Sequence, residues 1–118
     1  MIYVVDDSGE LGEMLEVFLT RAGYSTCVFN DPLRALADLE AADPKPQLIV
    51  SDFHMPGING LELIRRCKLI HPRIRTISAS AQLVPEELGK YPVPPDRFLP
   101  KPYTTRELLR MIKELLAE

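Results

Sequence analysis

The sequence is short of everything that would tie it to a membrane, a polyanion or an oxidising compartment. It has only two cysteines in 118 residues, Cys27 and Cys67, and neither has a second Cys or a His at a metal-binding interval. That spacing excludes a disulfide framework and a thiolate metal site, so both thiols are expected as small core residues. Positive charge is also scarce: 14 basic against 17 acidic residues leave a net charge of −3. No cationic field is available for direct binding to nucleic acid or to an anionic membrane. No apolar run approaches a membrane span, and the N-terminus lacks the charged and apolar regions of a leader peptide. A soluble, cytoplasmic domain is the expectation. Internal repeats, linkers and low-complexity tails are missing as well. The whole chain, residues 1–118, reads as one domain, and at this size folding removes about two-thirds of the unfolded surface from water. Because the chain stops soon after its last helical pattern, any effector domain is expected to be missing, cut away or supplied by another protein.

What is present is a regular alternation. Short apolar runs rich in β-formers open at Ile2–Val5, Thr26–Phe29, Leu48–Val50, Ile74–Ile77 and Arg97–Leu99, and these predict five strands. Between the first four, and after the last, apolar residues recur at helical spacing. Leu11, Leu15, Phe18 and Ala22 form one stripe, ended by Gly23. Leu33, Leu36, Ala37 and Leu39 form a second, opened by Asp31 as cap and Pro32 at the first helical position. Leu61, Ile64 and Cys67 form a third, bounded by Pro72, and the last runs through Leu108, Leu109, Ile112, Leu115 and Leu116 after a capping box at Thr104 and Glu107. Strands this apolar belong in a parallel sheet covered on both faces, so the predicted class is α/β, doubly wound. The departure is at residues 81–96, where the fourth helix should lie: six of the eleven prolines crowd the eighteen residues from Pro85 to Pro102. A short or distorted fourth helix within Pro85–Tyr91, followed by an irregular loop, is expected there.

In an open parallel sheet, ligands bind beyond the carboxyl ends of the strands. The residues that end the apolar runs are Asp6 and Asp7, Asp52, Ser80 and Lys101. Strand order 2-1-3-4-5 would set them side by side along one edge. Two carboxylates about 4 Å apart repel by roughly 4 kcal/mol at an effective dielectric near 20, so three of them need a cation or protons. Hard oxygen ligands without His or thiolate favour Mg²⁺. Lys101 and the metal would neutralise a phosphoryl group, Ser80 and nearby backbone N–H groups would hydrogen-bond its oxygens, and Asp52 would be the nucleophile.

These residues carry a resemblance. Asp6-Asp7, Asp52 within Ser-Asp-Phe-His-Met-Pro-Gly-Ile-Asn-Gly-Leu-Glu-Leu, Ser80-Ala81 and Lys101-Pro102, in this order on these strand ends, resemble the motif set of the response-regulator receiver domain over essentially the whole chain. The resemblance implies a CheY-like fold in which Asp52 accepts a phosphoryl group from a histidine kinase or histidine phosphotransfer protein. It implies that Mg²⁺ is held by Asp6, Asp7, Asp52 and the backbone carbonyl of His54. It also implies that Lys101, Ser80 and the backbone N–H of Ala81 contact the phosphoryl group, that the Lys101–Pro102 bond is cis, and that Phe98 is the aromatic switch partner of Ser80. The output would be a changed surface around the expected fourth helix and the fifth strand, read by an output partner, without enzymatic turnover of a diffusible substrate.

Plainer readings stand beside these. Asp6-Asp7 would serve as a helix cap, and Pro56-Gly57 and Asn59-Gly60 as turn formers. Ser78-Ala79 repeats the Ser80-Ala81 pattern, and Ser80 is preferred for its spacing of twenty-eight residues from Asp52. His54 and Gln82 fall where the family varies, His71 is expected in solvent, and Arg65, Arg66, Lys68, Arg73 and Arg75 are expected as a solvated basic face. Two rivals to the switch remain. One is a module whose switching surface has diverged, since the family's Gly-Ala step before the fifth strand is absent. The other is a Mg²⁺-dependent phosphohydrolase with Asp52 as transient nucleophile and His54 as its acid-base group.

Overall fold

The computed structural model describes residues 1–81 and 92–118. Five strands, β1 (Ile2–Val5), β2 (Thr26–Phe29), β3 (Leu48–Asp52), β4 (Arg75–Ser80) and β5 (Arg97–Pro100), form one parallel sheet in the order 2-1-3-4-5. Helices α1 (Gly9–Arg21), α2 (Pro32–Ala41) and α3 (Gly60–Ile70) connect the first four strands, and a C-terminal helix spans Thr105–Ala117. The predicted α/β class and strand order are therefore those of the molecule. The expected fourth helix, within Pro85–Tyr91, lies outside the described residues, as does Gln82; residues 92–96 are irregular, as the prolines require.

Strand alternation divides the core into two halves. Ile2, Val4, Val50, Ile77 and Leu99 face α1 and the C-terminal helix, meeting Leu15, Leu19, Leu108, Ile112 and Leu115. Tyr3, Val5 and Ile49 face the other way, onto Leu36, Leu39, Leu63 and Cys67 of α2 and α3. Full burial of such a side chain is worth about 1.5–3 kcal/mol, which secures each helix to its face. The caps act as the sequence implies. Asp31 accepts from Leu33 N–H at 3.0 Å, Asn59 from Glu62 N–H at 2.9 Å and Thr104 from Glu107 N–H at 3.1 Å. Gly23 ends α1 at φ +100°, a region that only glycine enters without strain.

Several expectations need correction. β3 runs two residues past Val50 and β4 three past Ile77, because Ser51, Ser78 and Ser80 are fully paired strand residues despite their polarity. The helix stripes are rotated. α1 buries Gly12, Leu15 and Leu19 and leaves Leu11 44% exposed, because a helix that meets Val28 through Gly12 must turn its neighbour outward. In α2 the buried residues are Pro32, Ala35, Leu36 and Leu39, and Leu33 is 52% exposed. Cys67 is a core thiol, its pKa pushed up to about 12 by burial, whereas Cys27 is only half-buried.

The basic residues around α3 are not a plain solvated face either. Arg65 and Arg66 both engage Glu62, at 2.6 and 2.8 Å, and their hydrogen bonds hold its carboxyl down at about 2. Asp96 gathers Lys68 at 3.1 Å, Arg75 at 3.7 Å, and both the N–H and hydroxyl of Thr76, at 2.8 and 3.0 Å. His71, expected in solvent, is half-buried as the C-cap of α3.

Candidate acidic phosphoacceptor site

Each candidate residue reaches the site because its strand ends there. β1 ends at Val5 and delivers Asp6 and Asp7; Asp52 is the last residue of β3, Ser80 of β4, and Lys101 follows β5 directly. Register aligns the tips: Asp52 pairs with Ala79 and Ser80 with Pro100. Ser80 C=O accepts from Lys101 N–H at 3.1 Å, so two of the sequence-derived phosphoryl contacts are joined through the backbone.

One oxygen from each of Asp6, Asp7 and Asp52 lies within 4.8 Å of the others. Asp6 is buried, Asp52 half-buried and Asp7 exposed, so the cluster opens toward solvent on the Asp7 side. Lys101 Nζ stands 2.9 Å from Asp52 Oδ1, which engages one carboxylate oxygen and leaves the second unclaimed by that cation. Burial pushes the Asp6 pKa up against the hydrogen bond from Ser8 N–H, and the charges of Asp52 and Asp7 push the same way. Burial opposes the charge on Lys101, but its hydrogen bond and charge interaction with Asp52, aided by Asp6, leave its pKa raised. The site therefore holds a fixed ammonium and a surplus of carboxylate.

The donor set fits Mg²⁺. At metal–oxygen distances of 2.0–2.1 Å, oxygens on one ion lie no more than about 4.2 Å apart, so a 4.8 Å spread suits one or two direct carboxylates with water completing the shell. His54, whose carbonyl the resemblance adds to the ligand set, is exposed two residues beyond Asp52, and its ring meets Phe53 edge-on at 4.7 Å between centroids.

The other predicted residues distribute unevenly. Ala81 is exposed and shares a cleft of about 320 Å³ with Asp6, Lys101, Pro102 and Tyr103. The Lys101–Pro102 bond is cis, as is Asp43–Pro44, which the sequence reading did not anticipate. Phe98 is half-buried and pairs with Ser78, two residues back from the rim. Ser78 itself pairs with Ser51, inside the sheet, which leaves Ser80 as the rim serine. Asp6 and Asp7 do not cap α1; Ser8 does, accepting from Leu11 N–H at 3.4 Å. Sequence reasoning missed Tyr103, half-buried in the same cleft. Burial raises its pKa, Lys101 opposes the rise, and Asp6 and Asp52 add to it. Its only signal was a place two residues after the lysine. A larger cleft of about 800 Å³, over β2 between α1 and α2, holds Glu13, Glu16 and Asp38 but none of the strand-tip residues.

Known proteins share this fold. The chain is 33% identical over 118 residues to the phosphate regulon transcriptional regulatory protein PhoB of Pseudomonas aeruginosa, covering 98% of this chain and 51% of that protein. Its fold superposes with a TM-score of 0.84 on the response regulator TrrA of Thermotoga maritima in complex with Mg²⁺-BeF, at 26% identity and with 97% and 96% of the two chains covered. It superposes with a TM-score of 0.85 on the receiver domain of a signal transduction histidine kinase from Syntrophus aciditrophicus, at 28% identity and with 98% and 89% covered. The chain spans about a quarter to about half the length of the curated relatives it matches. Residues 2–113 match the family model of the response regulator receiver domain, and with the sheet order and strand-tip cluster above, the chain belongs to that family.

Proposed function

We propose that this chain is a phosphoacceptor switch in which Asp52 takes a phosphoryl group from a phosphohistidine donor protein. The observation that carries the reading is the Lys101–Asp52 contact at 2.9 Å, set against Asp6 and Asp7 on the same rim. The carboxylate oxygen of Asp52 that Lys101 leaves open attacks phosphorus, the P–O bond of an acyl phosphate forms and the P–N bond to the donor imidazole breaks. Lys101 stays paired with the site as charge accumulates on the equatorial oxygens. Ser80 and the N–H of Ala81 supply neutral donors from the β4 tip. Asp6, Asp7, Asp52 and the His54 carbonyl would hold Mg²⁺, some of them through water, and the ion would supply further charge neutralisation.

The product adds about two negative charges to a rim already rich in carboxylates. Lys101 and Ser80 then re-orient, and Phe98, one residue before the buried Leu99 on β5, carries the change to the surface. An output partner or a linked effector domain reads that surface. Residues 1–118 form one receiver domain that works as a cytoplasmic switch, without enzymatic turnover of a diffusible substrate. Support for the cytoplasmic assignment is the match of residues 2–113 to the receiver family. The phosphohydrolase reading has less behind it, because the His54 ring packs against Phe53 and no acid-base pair with Asp52 is formed.

Intact-mass measurement after incubation with acetyl phosphate and Mg²⁺ tests the proposal. One added phosphoryl group is expected, absent in Asp52→Ala. Incorporation that persists in Asp52→Ala would place the acceptor elsewhere and refute it.

A further inference from the structure

Asn59-Gly60 reads in the sequence as a turn former, yet Gly60 is the first residue of α3 and its φ is not positive. It is glycine for another reason. A Cβ built on it would fall inside the van der Waals envelope of the Asp52 carbonyl oxygen, and would stand 3.0 Å from both Asp52 C and Phe53 Cα. All three are backbone atoms of the acceptor segment, which cannot rotate away as a side chain can. The Asp52 carbonyl is also gripped from inside the sheet, where the fully buried Ser51 hydroxyl donates to it at 2.8 Å. Phe53 N–H, on the same peptide plane, donates to Ala79 O at 3.0 Å, and Gly60 N–H donates to Phe53 O at 2.8 Å.

From this we infer that Ser51 and Gly60 are positioning residues for phosphoryl transfer: together they clamp the Asp52–Phe53 peptide so that the Asp52 carboxylate is delivered to Lys101. The inference rests on the phosphoacceptor reading, and neither residue touches the phosphoryl group. The peptide is held at Asp52 O by the Ser51 hydroxyl and at Phe53 N–H by the Ala79 carbonyl, and the bare Cα of Gly60 closes against the same Asp52 oxygen. That leaves only the side-chain torsions of Asp52 free, and the 2.9 Å contact with Lys101 fixes those. A methyl at residue 60 must displace either the end of β3 or the start of α3. Because Gly60 N–H is bonded to Phe53 O, moving α3 drags the acceptor loop with it. A misplacement of about 1 Å costs up to about 10²-fold in rate.

The test compares Gly60→Ala and Ser51→Ala with Leu63→Ala, a buried α3 substitution that destabilises the fold without touching the clamp. Acetyl phosphate incorporation is timed at saturating Mg²⁺, thermal midpoints are recorded, and the Gly60→Ala crystal structure is solved. Gly60→Ala is expected to phosphorylate at least about tenfold more slowly than the parent, and Ser51→Ala about threefold more slowly. Leu63→Ala should lose stability but keep its rate. In the crystal, Asp52 Oδ1 should have moved off Lys101 Nζ. The inference is overturned if both clamp variants react within twofold of the parent, or slow no more than Leu63→Ala. It is equally overturned if Gly60→Ala keeps the 2.9 Å contact while α3 alone shifts. Should Gly60→Ala not fold, the Ser51→Ala rate decides. A parent that takes no phosphoryl group on Asp52 overturns the proposed function, and the crystal distance then still judges the clamp.

Discussion

Replacing Asp96 by Ala should cost more stability than any other single change at the molecule's surface. Asp96 sits just before β5, and its carboxylate ties the end of α3 to the start of β4 through Lys68, Arg75 and Thr76. A hydrogen bond to a charged group is worth about 1.5–3 kcal/mol, and the partly exposed ion pairs with Lys68 and Arg75 add at most about 1 kcal/mol. Thr76 is fully buried, so the variant leaves its N–H without an acceptor. The expected loss is about 2–4 kcal/mol, a fall in Tm of roughly 10 °C for a chain of this size. Asp96→Asn keeps an acceptor for Thr76 but not the charge, and should lose about half as much. The effect also has a pH signature. Burial pushes the Asp96 carboxyl up, but hydrogen bonds from Lys68 and Thr76 outweigh it and the pKa is lowered. Stability from a carboxyl held below its unfolded value is complete above about pH 4 and drains away as pH falls through the folded value. Urea denaturation of parent and Asp96→Ala should therefore show a constant gap from about pH 5 to 8 that narrows below about pH 4. A gap under about 0.5 kcal/mol at pH 7, or one that widens on acidification, would refute the reasoning.

Three further outcomes follow from the geometry. Lys101→Ala removes the cation that competes with a metal for Asp52, so the Mg²⁺ affinity, read by titration, should tighten by about three- to tenfold, equivalent to about 1 kcal/mol, while phosphorylation slows; unchanged affinity would show that the metal does not use this site. Ser78 Oγ is buried without a hydrogen-bond partner among the described residues, so Ser78→Ala should leave stability unchanged or raise it by about 1 kcal/mol, and a loss of more than that in chemical denaturation would reveal a partner. With its pKa near 12, Cys67 should resist a thiol reagent at pH 8 until the protein unfolds, whereas half-buried Cys27 reacts first; simultaneous labelling in the native state would contradict the burial.

Most of the strand-tip chemistry was legible because it needs only two things from the chain: where each apolar run stops, and which polar residue comes next. Asp6, Asp7, Asp52 and Lys101 satisfy both. The choice of Ser80 over Ser78 rests on its spacing from Asp52; the register puts Ser80 at the strand tip and Ser78 two residues inside, and a β4 ending two residues earlier would have exchanged them. Helix faces were harder. Leu11 and Leu33 fit a helical stripe by period, but which side of a stripe meets the sheet depends on the small residue that allows close approach, here Gly12 against Val28. Asp96 carried no signal, because its partners Lys68, Arg75 and Thr76 lie twenty to twenty-eight residues away. Gly60 was visible and misread. Turn propensity and steric clearance both select glycine, and the letter does not distinguish them.

The alternation that splits the core also divides the rim. Asp52 shares a strand face with Val50, toward α1 and the C-terminal helix, while Ser80 and Phe98 share the opposite one. Two sets of neighbours can thus be re-engineered separately: a library recoding α1 need not disturb the face covered by α2 and α3, since a five-stranded wall stands between them. A chimera that exchanges the α1 flank for a relative's should inherit a working centre, whereas one that exchanges the α3 flank must carry Ser51 and Gly60 across with it.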